Sequence, residues 1–132
     1  MTSWPAAISY ITLFVDDLAA TRAFYEDVFG LAPVYTDEDS AVFAFGGGEA
    51  GAIRVNLLKS TQAPELIEPA LVAEAASGSR MQLTIPVDDV DATYAMLAER
   101  GVTLLNGPTD RPWGIRSAAF RDPAGHVWEI AH

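Results

Sequence analysis

The chain has 132 residues, half of them hydrophobic, with 18 acidic against 8 basic side chains and a net charge of −10. That length suits one compact domain that buries roughly two-thirds of the surface its unfolded chain would expose. The charge favours solubility and argues against nucleic acid as a partner, because phosphate binding needs a basic footprint. The absence of cysteine excludes disulfides, zinc–thiolate sites and a cysteine nucleophile.

The N-terminal MTSWPAAISYITLFVDD has no basic region and meets two aspartates early, so it does not read as a signal peptide. No apolar run approaches the ~18 residues a membrane-spanning helix needs, and a soluble, cytoplasmic protein is the expectation. Ile8 to Val15 reads as a strand, rich in β-branched and aromatic residues. A helix follows to about Phe29, with Leu18, Thr21, Phe24, Tyr25, Val28 and Phe29 on its apolar face and Gly30 as its stop. Strand-like runs come next at Pro33–Thr36, Ala41–Phe45 and Ala52–Leu58, separated by the turns DEDS (37–40) and GGGEAG (46–51). The glycines at 46–48 do not sit between a strand and a helix, so a phosphate loop is a poor reading of them. Residues 59–80 break the pattern with Pro64, Pro69 and Gly78 and read as a connector, with a short helix placed around Pro69–Ala76. Then the order repeats: strand Met81–Val87, helix Val90–Arg100, stop Gly101, strand Val102–Leu105, loop 106–114, strand Ile115–Arg121, turn DPAG (122–125) and strand His126–Ala131. The organisation is therefore a first β-α-β-β-β module over 1–58, a connector over 59–80 and a second module over 81–132, together one domain.

The repeat is visible in the letters. VDDLAATRA at 15–23 returns as VDDVDATYA at 87–95, 72 positions later, with six of nine residues identical. Each copy sits where a strand turns into a helix. One of Asp16 and Asp17, and one of Asp88 and Asp89, is expected to cap its helix, accepting from unsatisfied N–H groups at the positive helix end. The doubled acidic phrase is thus a structural corner rather than a catalytic pair.

Alternation along a strand assigns side chains to faces. Ile11, Leu13 and Val15 share one face and match Leu83, Ile85 and Val87, all aliphatic, as expected beneath a helix. Tyr10, Thr12 and Phe14 share the other and match Gln82, Thr84 and Pro86, a mixed face of the kind that lines a cavity. Ile53, Val55 and Leu57 oppose Arg54 and Asn56; Trp128 and Ile130 oppose Val127, Glu129 and Ala131. Glu129 lies in the otherwise apolar HVWEIA, and burying a carboxylate alone is costly, so it needs either an exposed edge or a polar pocket.

The phrases ITLFVDDLAATRAFYEDVFGL, MQLTIPVDDVDATYAMLAERGV and, most specifically, WGIRSAAFRDPAGHVWEIAH resemble the vicinal oxygen chelate superfamily of glyoxalases, bleomycin resistance proteins and extradiol dioxygenases. The resemblance spans nearly the whole chain. It implies an α+β fold of two tandem βαβββ modules forming a curved mixed sheet around a cleft, a small organic molecule as partner, and a homodimer. In metal-dependent members the ligands come from the first and fourth strands of each module, usually as His, Glu or Gln. Carried over, those positions fall on Tyr10, on Arg54 or Asn56, on Gln82 and on Glu129. One carboxylate, one amide, a phenol and an arginine make a poor site for a divalent cation. The two histidines, His126 and His132, lie at odd offsets from Glu129 and face away from it on a regular strand.

The loop DRPWGIR (110–116) resembles the PWG-x-R stretch of antibiotic-binding members, which hold their drugs without metal chemistry. Trp113 there either stacks on a flat ligand or packs on the protein's own surface. Arg116 serves either an anionic ligand group or a salt bridge. Tyr10, Phe14 and Phe45 are candidates for the apolar lining or, as generic aromatics, for the core. The expectation is a metal-independent binder, without cofactor, that sequesters a partly aromatic organic ligand through Tyr10, Phe14, Phe45, Arg54, Asn56, Gln82, Trp113, Arg116 and Glu129. The alternative is a metal-dependent glyoxalase-like lyase or isomerase, or a dioxygenase-like enzyme, with Glu129 as metal ligand or general base.

Overall fold

A computed structural model of the chain describes residues 3–46 and 52–132. It divides into two compact units, residues 1–72 and 73–132, so the connector is shared between them. Of the GGGEAG turn, only Gly46 lies inside the described residues.

The first unit runs β1 (Tyr10–Val15), α1 (Leu18–Val28), β2 (Tyr35–Thr36), β3 (Ser40–Phe45) and β4 (Ile53–Lys59). Its sheet has the order β1-β4-β3-β2, with β1 and β4 parallel and the remaining pairs antiparallel. Asp17 is the residue that caps α1, its Oδ1 accepting from Ala20 N at 3.0 Å. Asp16 accepts instead from the Ser60 hydroxyl at 2.6 Å. The helix lays Tyr25 against Phe43 (ring centroids 5.4 Å) and Phe29 against Phe45 (5.7 Å). Tyr25, Phe43 and Leu57 are fully buried, each contributing about 1.5–3 kcal/mol of hydrophobic stabilisation. Leu13, Val15 and Val55 lie on the same side, beneath the helix, and are buried with them.

The second unit runs β5 (Gln82–Pro86), α3 (Val90–Glu99), β6 (Thr103–Asp110), β7 (Arg116–Arg121) and β8 (Val127–Ala131), in the sheet order β5-β8-β7-β6. Asp89 repeats the role of Asp17 through a 3.0 Å bond from Ala92 N. Thr21 and Thr93 repeat each other as well, each hydroxyl donating to the carbonyl of its capping aspartate at 2.9 Å. The architecture is α+β, two tandem βαβββ modules, each a four-stranded mixed sheet under a helix.

Two elements differ from the sequence reading. The short helix of the connector, α2, is Pro64–Ile67, with a single 3-10 turn at Ala75–Ser77. Pro64 suits a first helical turn, where no N–H is needed, whereas Pro69 forces Glu68 into an extended conformation (ψ 144°) and ends the helix. The loop placed at 106–114 is mostly strand, since β6 continues to Asp110. As the sheet edge, β6 tolerates Pro108, and two register shifts between Leu104 and Thr109 absorb the Gly107–Pro108 pair.

Candidate functional site

Each sheet has one face under its helix and one face turned away from it. In the first unit the strand register sets three rows across the second face: Tyr10–Arg54–Ala44, Thr12–Asn56–Val42 and Phe14–Leu58–Ser40. In the second unit the rows are Gln82–Val127–Arg121, Thr84–Glu129–Ala119–Asn106 and Pro86–Ala131–Ser117–Thr109. Thr12 and Thr84 occupy the same place in the two copies. Their β4 and β8 neighbours, Asn56 and Glu129, are therefore equivalent to each other. Arg54 also projects from this face, one row away and directly across from Tyr10.

Glu129 belongs to β8, an interior strand, so no sheet edge is available to solvate it. Its Oε1 accepts the Thr84 hydroxyl at 2.8 Å and the residue is half-buried. A polar sheet face, not an edge, houses this carboxylate. At the equivalent position the Oδ1 of Asn56 is buried and has no hydrogen-bond partner among the described residues. A buried acceptor left unpaired costs about 1–3 kcal/mol, which makes Asn56 a place where a ligand donor would be gained. Arg54 is half-buried and forms no ion pair among the described residues.

The remaining candidates separate. Tyr10 is 56% exposed, Gln82 is exposed and Phe14 is half-buried, all on the faces just described. Phe45 lies on the opposite face, where it stacks edge-on against Phe29 of α1; strand parity groups it with Phe43 in the core, not with Phe14. Trp113 is 70% exposed in the β6–β7 turn, so it does not pack on the protein's own surface. That turn is tight: Arg111 N donates to Ile115 O at 2.7 Å, Gly114 N donates to Arg111 O at 3.0 Å, and Gly114 adopts a φ of 95°.

Arg116 faces the helix side. Its Nε and Nη2 donate to both carboxylate oxygens of Asp91 on α3 (2.7 and 2.8 Å), and Nη1 donates to Asp110 (3.0 Å). These bonds hold the Asp91 carboxyl below its ordinary value and raise the guanidinium further. Of the two roles weighed for Arg116, the structure shows the salt bridge, and it fills the fork that an anionic ligand would need. His132 also faces the helix side, its Nδ1 accepting from Val90 N at 3.1 Å.

Sequence reading missed Arg111. Its Nε donates to Ser117 Oγ (2.9 Å) and its Nη2 to Asn106 Oδ1 (3.1 Å). Both acceptors belong to the rows of the face that carries Glu129. The only signal was position, beside Pro112 and Trp113, and the acceptors emerge only from the β6–β7 register.

On the faces turned away from the helices, the first unit carries the Tyr10 phenol and the Asn56 carboxamide, and the second carries the Gln82 carboxamide and the Glu129 carboxylate. Among the described residues, no three His, Cys, Asp or Glu side chains come together in a group that could hold a metal ion.

The Glyoxalase/Bleomycin resistance protein/Dioxygenase superfamily model matches residues 7–130. The chain belongs to that superfamily. A curated relative in it, the uncharacterized protein YraH of Bacillus subtilis, is 34% identical over 91% of this chain and 93% of its own. The metallothiol transferase FosB of Shouchella clausii is 28% identical over 93% of this chain and 77% of its own length. A crystal structure of a glyoxalase/bleomycin resistance protein/dioxygenase from Nocardioides superposes with a TM-score of 0.81 at 26% identity, covering 98% of this chain and 85% of that one.

The Asp91–Arg116 bridge predicts a pH signature. A carboxyl held below its ordinary value of 3.8 contributes stability above that value and loses it as pH falls through the lower, folded value. In urea unfolding, Arg116→Gln is expected to be less stable than the parent at about pH 6, with the gap narrowing as the pH falls below 3.8. A gap that stays constant as the pH falls would contradict the assignment.

Proposed function

We propose that this chain is a small-molecule-binding protein that sequesters a partly aromatic organic ligand without a resident metal ion. The observation that carries the reading is the chemistry of each unit's open face. In the first unit Tyr10 and Asn56 carry no negative charge, and the Arg54 guanidinium lies directly across from Tyr10; in the second, Gln82 and Glu129 carry one, and neither pair supplies an imidazole. Transition-metal sites of lyases and dioxygenases draw on several anionic or imidazole ligands, and neither face fits one.

The same groups suit an organic ligand. Carboxamides and a phenol both donate and accept hydrogen bonds, and the buried Oδ1 of Asn56 awaits a donor. Trp113 and Tyr10 expose rings for a flat partner. Glu129, fixed by Thr84, offers an oxygen to a ligand N–H or O–H. The competing reading, a metal-dependent enzyme using Glu129, draws support from the likeness to a metallothiol transferase. The family resemblance also supports a homodimer.

Binding to the folded state raises stability by about 2.7 kcal/mol at a hundredfold excess over Kd, so a thermal-shift screen of aromatic compounds reveals ligands without knowledge of any reaction. Hits are expected to give the same shift with EDTA as with added Ni, Zn or Mn. Hits that appear only with metal would overturn the proposal. Trp113→Ala is expected to weaken a hit by more than ~1 kcal/mol; unchanged affinity would remove the tryptophan from the site. Sedimentation at micromolar concentration is expected to show a dimer, and a single species at the 14.1 kDa chain mass would contradict it.

A further inference from the structure

Arg111 is a cation held by neutral partners. Arg22, Lys59 and Arg116 each pair with a carboxylate. Arg111 is half-buried and has no carboxylate within 4.0 Å among the described residues. Its contacts are neutral: Ser117 Oγ at 2.9 Å and Asn106 Oδ1 at 3.1 Å. Ser117 is completely buried, so that contact point is fixed. A partly desolvated guanidinium without a counter-ion is costly, and with 18 acidic side chains in the sequence a partner was readily available. Two neutral acceptors hold the group in place without cancelling its charge.

The fixing also selects an edge. Nε and one Nη2 proton are engaged, which leaves the Nη1–Nη2 end of the fork with donors free. That end matches two oxygens of a carboxylate or a phosphoryl group. Arg111 further borders a surface depression of about 340 Å³ with Gly114, Ile115, His132 and the paired Asp110 and Arg116; His132 and Arg116 face the helix side, so the depression is separate from the face that carries Glu129. That is the lower end of the size range of small-molecule sites. Trp113 follows two residues later in the same turn with its ring exposed.

We propose that Arg111 is an anion anchor of the second unit, at that depression, and takes a two-oxygen anionic group, carboxylate or phosphonate, carried by an aromatic ligand. The inference rests on the small-molecule-binding reading above and adds the charge class of the ligand. The test is a titration of the full chain with 2-naphthoate, 2-naphthylphosphonate and the neutral 2-naphthamide. The parent is expected to bind at least one of the two anions about tenfold or more tightly than the amide. Which anion is preferred distinguishes the two sources of the group. Arg111→Gln is expected to abolish that preference. Arg111→Lys keeps the charge and one donor; it is the variant to read if Arg111→Gln does not fold, and it is expected to lose several-fold in anion affinity. Equal binding of anions and amide by the parent, or a preference that survives both substitutions, would overturn the anchor while leaving small-molecule binding intact. Failure of all three probes to bind would overturn the anchor as well, and the EDTA-controlled screen would then decide the wider reading separately.

Discussion

In each unit one long helix, α1 or α3, covers a four-stranded sheet, and this constraint orders everything else. The covered face must be apolar. Leu13, Val15, Phe43, Val55 and Leu57 meet α1, and Phe120, Trp128 and Ile130 lie on the corresponding face in the second unit, all of them buried. Because side chains alternate along a strand, the residues between them are released from core duty. Tyr10, Thr12, Arg54 and Asn56, and Gln82, Thr84, Ser117 and Glu129, are polar because the opposite face carries the hydrophobic burial. The Asp17 and Asp89 caps keep the arrangement in register by starting each helix at the same point after its strand.

The duplication then acts as an internal comparison. The two copies preserve the corner and the helix-facing side and diverge on the other face. Thr12 and Thr84 are unchanged, but the β4 and β8 neighbours are an asparagine in one copy and a glutamate in the other. That single difference supplies the only carboxylate of the family's ligand positions. The first face carries Arg54, and the second carries Arg121 together with Glu129. Arg116, which the loop motif had brought forward, is spent on Asp91 and Asp110 and serves to tie the β6–β7 hairpin to α3.

Much of this was legible in the sequence. Order and type of the elements followed from period and punctuation, and the aspartate corners and the two-faced strands followed from local chemistry alone. What escaped it depended on pairing between strands. Thr12 and Thr84 are 72 residues apart, whereas Asn56 and Glu129 are 73 apart, so only the observed register makes the latter two equivalent and resolves Arg54 from Asn56. Phe45 stayed open between lining and core because an aromatic in a strand carries no label for its face until its neighbours Phe29 and Phe43 are seen. The extension of β6 through Gly107 and Pro108 contradicts local turn signals and is permitted by its position at the sheet edge. Arg111 was invisible for the same reason: its two acceptors are five and six residues away, across a hairpin whose length had been read as loop.

The central claim is that these faces are built for an organic ligand and lack the donors for a metal ion. Calorimetric titration of Ni, Zn, Mn and Fe(II) into chelator-treated protein tests it most directly. The account predicts no stoichiometric uptake at micromolar metal and no change when Glu129 is replaced by Gln. One equivalent of tightly bound metal, lost on Glu129→Gln, would contradict it.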